Sequence, residues 1–108
     1  MKLSIVIPVY NEESTIKTII ERVEKLSLPV GIQKEIIIID DASTDTTPDI
    51  LSQYSSRLHI IRHEKNRGKG AAVRSGFLAS TGDIVVIQDA DLEYDPLDLP
   101  TMLEPIMS

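Results

Sequence analysis

Hydrophobic positions along the chain come in two kinds of run. The first kind is short and nearly unbroken: "KLSIVIP" (2–8), "EIIII" (35–39), "LHIIRH" (58–63) and "IVVIQ" (84–88). Short apolar runs rich in β-branched residues predict strands covered on both faces, as in a parallel sheet. The second kind is spaced. Ile16, Ile19, Ile20, Val23 and Leu26 fall on one stripe of a helix predicted over 12–26, with Lys17, Glu21, Glu24 and Lys25 opposite. Asn11 or Ser14 is placed to cap its start, and "SLPVGIQ" breaks it. A short helix is predicted near Thr47 and Pro48, because threonine caps well and proline suits a first helical turn. "AAVRSGFLAS" (71–80) predicts a third helix, entered through the loop "EKNRGKG" and stopped by Gly82. A last helix is predicted near Asp98, Leu99 and Pro100.

The resulting order, strand and helix in alternation, is that of an α/β domain with a mainly parallel sheet between two helical layers. Ligands of such sheets bind beyond the carboxyl ends of the strands, where strand order reverses. Three predicted strand ends carry concentrated polar chemistry: "PVYNE", "DDASTD" and "QDADLE". They are expected to share one crevice.

Composition narrows the picture. At 108 residues the chain has room for one domain, and 42% hydrophobic with 26% charged residues is ordinary soluble usage. A net charge of -6 argues against a nucleic-acid binder. The absence of cysteine excludes disulfides, thiolate catalysis and cysteine-held metals. The start "MKLSIVIPVYNEE" turns polar too soon for a signal peptide, and no apolar run approaches the length of a membrane span.

In "QDADLE", Asp89 and Asp91 point the same way in extended backbone, and Glu93 continues the parity. Such a set suits a hard cation, Mg2+ or Mn2+, held by one or two carboxylates beside phosphate and water. It also suits a solvated acidic turn. In "DDASTD" the adjacent Asp40 and Asp41 point to opposite sides, so one can meet a ligand while the other caps backbone amides; plain capping by Asp41, Ser43 or Asp45 is the simpler reading. Tyr10 offers a flat face to a base, and Glu12 an acceptor for a base or ribose. Lys65, Arg67 and Lys69 precede a helix start in an anion-binding arrangement, equally explained as a solvated basic loop. His59 and His63 have no carboxylate near in sequence and are read as structural.

Taken together, "IVIPVYNEE", "EIIIIDDASTDTT", "EKNRGKGAAVRSGFLASTGD" and "IVVIQDADLEYDP" resemble the family 2 glycosyltransferases of GT-A fold. Within that family the chain is most similar to the dolichol-phosphate mannosyltransferase and bacterial polyprenyl-phosphate glycosyltransferase type. The resemblance implies a Rossmann-like, three-layer nucleotide-diphospho-sugar-binding half spanning 1–108, ending before the acceptor-binding half. It implies that Pro8, Tyr10 and Glu12 line the nucleotide pocket and that Asp41 meets the base, with Ile39 beside it and Asp40 as the lesser candidate. Asp89, Ala90 and Asp91 form the D-x-D segment, in which Asp89 and Asp91, with Glu93 as a further ligand, hold Mg2+ or Mn2+ against the donor diphosphate. The implied activity is sugar transfer from GDP-mannose or a UDP-sugar to a polyprenyl or dolichyl phosphate, or another glycan acceptor, in cell-envelope glycan synthesis. The implied place is the cytoplasm, at the inner face of the membrane. No catalytic base or acceptor segment is present in 1–108, so turnover is expected of the longer parent and not of this stretch alone.

Rival readings share parts of this pattern. A receiver-like phosphoacceptor domain carries its acidic pair after the first strand, whereas here "PVYNE" stands there. A haloacid-dehalogenase-type hydrolase carries D-x-D on its first strand, whereas here it ends the fourth. A nucleotide-binding module without catalysis of its own also fits.

Overall fold

The uninterrupted apolar runs do become strands. A computed structural model describes residues 1–90; the calls on Asp91, Glu93 and the helix near Asp98 lie outside the described residues. Its elements are β1 (Lys2–Val9), α1 (Ile16–Glu24), β2 (Gln33–Asp40), α2 (Thr47–Ser52), β3 (His59–Arg62), α3 (Lys69–Ala79) and β4 (Ile84–Ile87). All pairings are parallel, in the order β3-β2-β1-β4. The chain runs outward from β1 to β2 and β3, then returns to the other side of β1 with β4. That reversal beside β1 is the switch point of the dinucleotide-binding order. Receiver domains place β1 between the second and third strands, so the order removes the receiver-like reading.

Alternation along the strands divides the core between the two faces. Leu3, Ile5, Ile7, Ile36 and Ile38 pack with Ile16, Ile19, Ile20 and Val23 of α1 and Leu51 of α2. Val6, Ile37 and Ile39 face the other way, against Ala72 of α3. Burying each such Ile or Leu contributes about 1.5–3 kcal/mol relative to leaving it in water. Lys34 ties β2 to the first layer: its ammonium donates to the carbonyls of Val23, Glu24 and Leu26 at 2.8, 2.7 and 3.1 Å, closing the C-terminal end of α1. Burial pushes that ammonium below its ordinary range, against an opposing pull from Glu24.

Two capping expectations are corrected. Neither Asn11 nor Ser14 caps α1; Thr15 holds that position and makes no side-chain cap bond. Its hydroxyl instead lies 2.6 Å from the carbonyl of Ala90. The cap of α2 is Thr46, again without a side-chain cap bond, and the hydroxyl of Thr47 accepts from the Glu12 amide at 3.1 Å. The Thr15 hydroxyl thus ties α1 to the end of β4 and the Thr47 hydroxyl ties α2 to the loop after β1, while the Thr47 amide is capped locally by the Asp45 carboxylate at 2.8 Å.

Candidate functional site

Four chain segments converge at the carboxyl edge of the sheet around a cavity of about 300 Å3. Pro8, Val9, Tyr10 and Glu12 come from the end of β1, Asp41 from β2, Asn66, Gly68, Lys69 and Ala72 from the entry to α3, and Asp89 and Ala90 from the end of β4. The structure thus brings Pro8, Tyr10, Glu12, Asp41, Asp89 and Ala90 to one place. Ile39 is not among them: it is fully buried beneath α3 with Val6, Ile37 and Ala72, because strand alternation turns it into the core.

The loops after β1 and β2 are clasped by side chains. The carboxamide oxygen of Asn11 accepts from the Thr44 amide at 2.7 Å, and the Asn11 amide donates to the Ser43 hydroxyl at 2.9 Å. The Glu13 carboxylate accepts from the Thr46 amide at 2.9 Å. The string of small polar residues after Asp41 therefore works as a clasp between two loops. Asn11 (φ 52°) and Ala42 (φ 62°) both sit in left-handed backbone here. Asparagine adopts it readily, whereas for alanine it costs about 1–2 kcal/mol. Ala42 is held there from both sides, by the Asp41 amide on the Val9 carbonyl (2.8 Å) and the Ser43 amide on Asp40 (3.0 Å).

The adjacent aspartates do point apart. Asp40 pairs with Arg62 at 2.6 Å and accepts from the Ser43 amide. Asp41 is buried and accepts three hydrogen bonds: from His63 Nδ1 at 2.8 Å, from the Arg67 amide at 2.9 Å and from the Gly68 amide at 2.8 Å. A carboxylate offers about four acceptor positions, so one is left for a ligand. Burial, the largest single influence, pushes the Asp41 carboxyl up; His63 and the two amides together outweigh it and hold it below the ordinary value.

At the far wall, Lys69 Nζ lies 2.5 Å from Asp89 Oδ1. The Thr15 hydroxyl meets both Ala90 O (2.6 Å) and Glu12 Oε2 (3.1 Å). A hydroxyl carries one proton, and the shorter contact takes it. Glu12 thus keeps acceptor capacity at the cavity while Thr15 holds the Ala90 carbonyl.

A family profile described as "Glycosyl transferase family 2" matches residues 4–108. The chain belongs to that family. An undecaprenyl-phosphate 4-deoxy-4-formamido-L-arabinose transferase of Pectobacterium carotovorum is 39% identical over 106 residues, covering 94% of this chain and 32% of that protein. A dolichol-phosphate mannosyltransferase of Pyrococcus furiosus is 35% identical over 108 residues, covering 98% and 30%. The chain therefore spans about a third of the length of these relatives. Among solved structures, a Pyrobaculum calidifontis mannosyltransferase in complex with GDP-Man and Mn2+ superposes with a TM-score of 0.77 at 29% identity, covering 89% of this chain and 29% of that one. Glucosyl-3-phosphoglycerate synthase of Mycobacterium tuberculosis, in complex with Mn2+, UDP and glucosyl-3-phosphoglycerate, gives 0.79 at 31% identity, covering 99% and 40%. The α/β sandwich is the GT-A fold of this family.

Three carboxylates, from Glu12, Asp41 and Asp89, line the cavity of this family 2 chain. Among the described residues no cluster of three potential ligands forms. What reaches the cavity is carboxylate oxygen, from Glu12, Asp41 and Asp89, while both ring nitrogens of His63 are engaged elsewhere. Carboxylate oxygen is the donor type that a hard cation such as Mg2+ or Mn2+ takes. A cation taken up by Asp89 has to share that carboxylate with Lys69.

Lys69 belongs to the basic loop that the sequence marked as an anion-binding arrangement, and Gly68 to the same loop. Sequence spacing gave no sign of His63, Asn66 or Thr15, each of which binds a residue far along the chain. The one usable signal was position, since His63 directly follows β3 at the sheet's functional edge.

The carboxylates also set the acid limit of the fold. Asp45 is held below its ordinary value: burial pushes it up, and the Thr47 hydroxyl with the Thr47 and Glu13 amides outweighs that. In Glu35, burial is likewise outweighed, by the Thr81 amide, the Ser4 and Thr81 hydroxyls and Lys2. A carboxyl with a depressed folded-state pKa contributes stability that is complete above its unfolded pKa and is lost as pH falls through the folded one. Urea unfolding midpoints are therefore expected to hold steady from neutral pH downward. They should drop once pH passes the ordinary values of 4.5 for Glu35 and 3.8 for Asp41 and Asp45. A midpoint unchanged down to about pH 3 would show that these hydrogen bonds carry no net stability.

Proposed function

We propose that this chain is the donor-binding part of a metal-dependent glycosyltransferase. The parent takes a sugar from GDP-mannose or a UDP-sugar and passes it to a polyprenyl or dolichyl phosphate. The observation that carries this is the gathering of Tyr10, Glu12, Asp41 and Asp89 around one cavity at the switch point of the sheet. The exposed ring of Tyr10 supplies a face for the base, Asp41 an acceptor for a base N–H, and Glu12 an acceptor for the ribose or base. The Lys69 ammonium stands at the same wall as Asp89, where the diphosphate belongs. The nucleotide and metal named for the solved relatives, and the polyprenyl and dolichol phosphates named for the curated ones, support the same reading.

In the reaction the bond from the sugar's anomeric carbon to the donor diphosphate breaks, and a bond to an acceptor oxygen forms with inversion. The diphosphate leaves with the bonding pair, so negative charge accumulates there. Asp89, with Asp91, would hold the divalent cation, which when bound supplies neutralisation of that charge as a Lewis acid. Lys69 adds a fixed positive charge at the same wall. An acceptor that is already a phosphate anion needs no proton removed, so a strong base within 1–90 is not required.

The test is calorimetric titration of this chain with GDP and UDP, each with and without Mn2+, alongside Asp89→Asn. One nucleotide is expected to bind in a Mn2+-dependent way, with a loss of about tenfold or more in the variant, about 1.4 kcal/mol. Binding indifferent to both Mn2+ and Asp89, or none from a folded chain, would overturn the reading.

A further inference from the structure

Asp41 does not stand alone at the cavity. His63 is 7% exposed and lies between two side chains: Nδ1 is 2.8 Å from Asp41 Oδ1, and Nε2 is 2.8 Å from the hydroxyl of Ser75 in the middle of α3. With a carboxylate at Nδ1, that nitrogen carries the proton and donates; Nε2 then accepts from Ser75. Asp, His and Ser in this sequence also make a nucleophilic relay. That role fails here, because Ser75 sits inside α3, where neighbouring amides are spent on helix hydrogen bonds and none is free to stabilise an oxyanion.

The relay has a different geometric consequence. Asp41 can rotate about its side-chain bonds, so the direction in which its fourth acceptor position meets a ligand depends on what holds the carboxylate. His63, directly after β3, together with the amides of Arg67 and Gly68, holds it from three sides. Through Ser75 the same imidazole is referenced to α3, whose first residue, Lys69, pairs with Asp89 at the far wall of the cavity. We propose that His63 is a positioning residue for nucleotide-base recognition, fixing the Asp41 carboxylate and joining its placement to that of α3. This rests on the donor-site reading and adds a residue to it. His63 itself touches no ligand.

The amide nitrogen of asparagine can stand in for Nδ1 as a donor, and the amide oxygen of glutamine for Nε2 as an acceptor from Ser75, so two conservative variants divide the relay. His63→Asn keeps a donor to Asp41 and gives up Ser75. His63→Gln keeps Ser75 and gives up Asp41. Binding of GDP, UDP and inorganic pyrophosphate is measured with Mn2+ for each, with melting temperatures recorded in parallel. His63→Asn is expected to keep the wild-type preference between GDP and UDP within about threefold. His63→Gln is expected to lose about tenfold or more for the preferred nucleotide and to narrow the preference, while pyrophosphate binds as before; tenfold corresponds to about 1.4 kcal/mol.

Equal behaviour of the two variants, or losses that follow the melting temperatures and include pyrophosphate, would show a structural role only and overturn the inference. Should the wild type discriminate between the bases and His63→Gln discriminate equally well, the inference falls while the donor site stands. Should the folded wild type bind neither nucleotide, the donor-site reading falls and takes this inference with it.

Discussion

Asp41→Ala is expected to lower the melting temperature by about 10–20 °C and to abolish nucleotide binding, the largest effect of any single side-chain truncation at the cavity. The carboxylate is 3% exposed and satisfies three donors, the His63 ring and the amides of Arg67 and Gly68. An orphaned buried donor costs about 1–3 kcal/mol, and three sharing one partner do not add fully, so a total of about 2–4 kcal/mol is expected. The segment those amides belong to also brings Lys69 to Asp89, so losing the anchor disturbs both walls of the cavity. Asp41→Asn keeps one acceptor oxygen but turns an amide NH2 toward a backbone N–H, and should fall between the variant and the wild type. Differential scanning calorimetry of the three proteins, followed by titration with the preferred nucleotide, checks the order. A fall below about 3 °C in Asp41→Ala would mean that water entering the cavity replaces the carboxylate without loss.

The second large effect lies away from the cavity, at Gly82. A Cβ there would stand 2.4 Å from the Ser4 hydroxyl, 2.8 Å from the Ser4 amide nitrogen and 2.9 Å from the Lys2 carbonyl. Two of those atoms are backbone of the central strand and cannot turn aside. The Gly82 amide also donates to the Ser4 hydroxyl at 2.9 Å, and the Asp83 amide donates to the Lys2 carbonyl at 2.8 Å. Moving the segment away would break the contacts that lead into the pairing of Leu3 with Ile84. Gly82→Ala is expected to destabilise by about 3 kcal/mol, at the upper end for overpacking. Gly70→Ala is the matched control. Nothing lies within 4 Å of its added Cβ, in the first turn of α3, so it should be neutral or slightly stabilising. Urea unfolding of both variants compares one chemical change in two places. Equal midpoints would contradict the packing seen at Ser4 and Lys2.

Much of the fold could be read from local pattern. The strands match their apolar runs to within a few residues: β2 extends Ile36 to Ile39 by three residues at its start and one at its end, and β3 and β4 are slightly shorter than their runs. The stripe from Ile16 to Val23 lies buried as its spacing predicted. Parity separated Asp40 from Asp41 correctly, because side-chain direction in a strand alternates whatever lies beyond. Helix entry was the weak point: caps were sought at Asn11, Ser14 and Thr47, whereas Thr15 and Thr46 hold those positions and neither makes a side-chain cap bond.

The sequence by itself determined the element types, the parallel layering and the polar strand ends, because periodicity and burial on one or both faces are properties of a short stretch of chain. Only the tertiary structure decided who meets whom at those ends. Placing β3 beside β2 sets Asp40 opposite Arg62 and so brings His63 to Asp41, 22 positions away. Placing β4 beside β1, with α3 crossing over them, brings Lys69 to Asp89 and Ala90 to Thr15. A hydrogen bond depends on distance in space, and strand order is what turns separation along the chain into that distance.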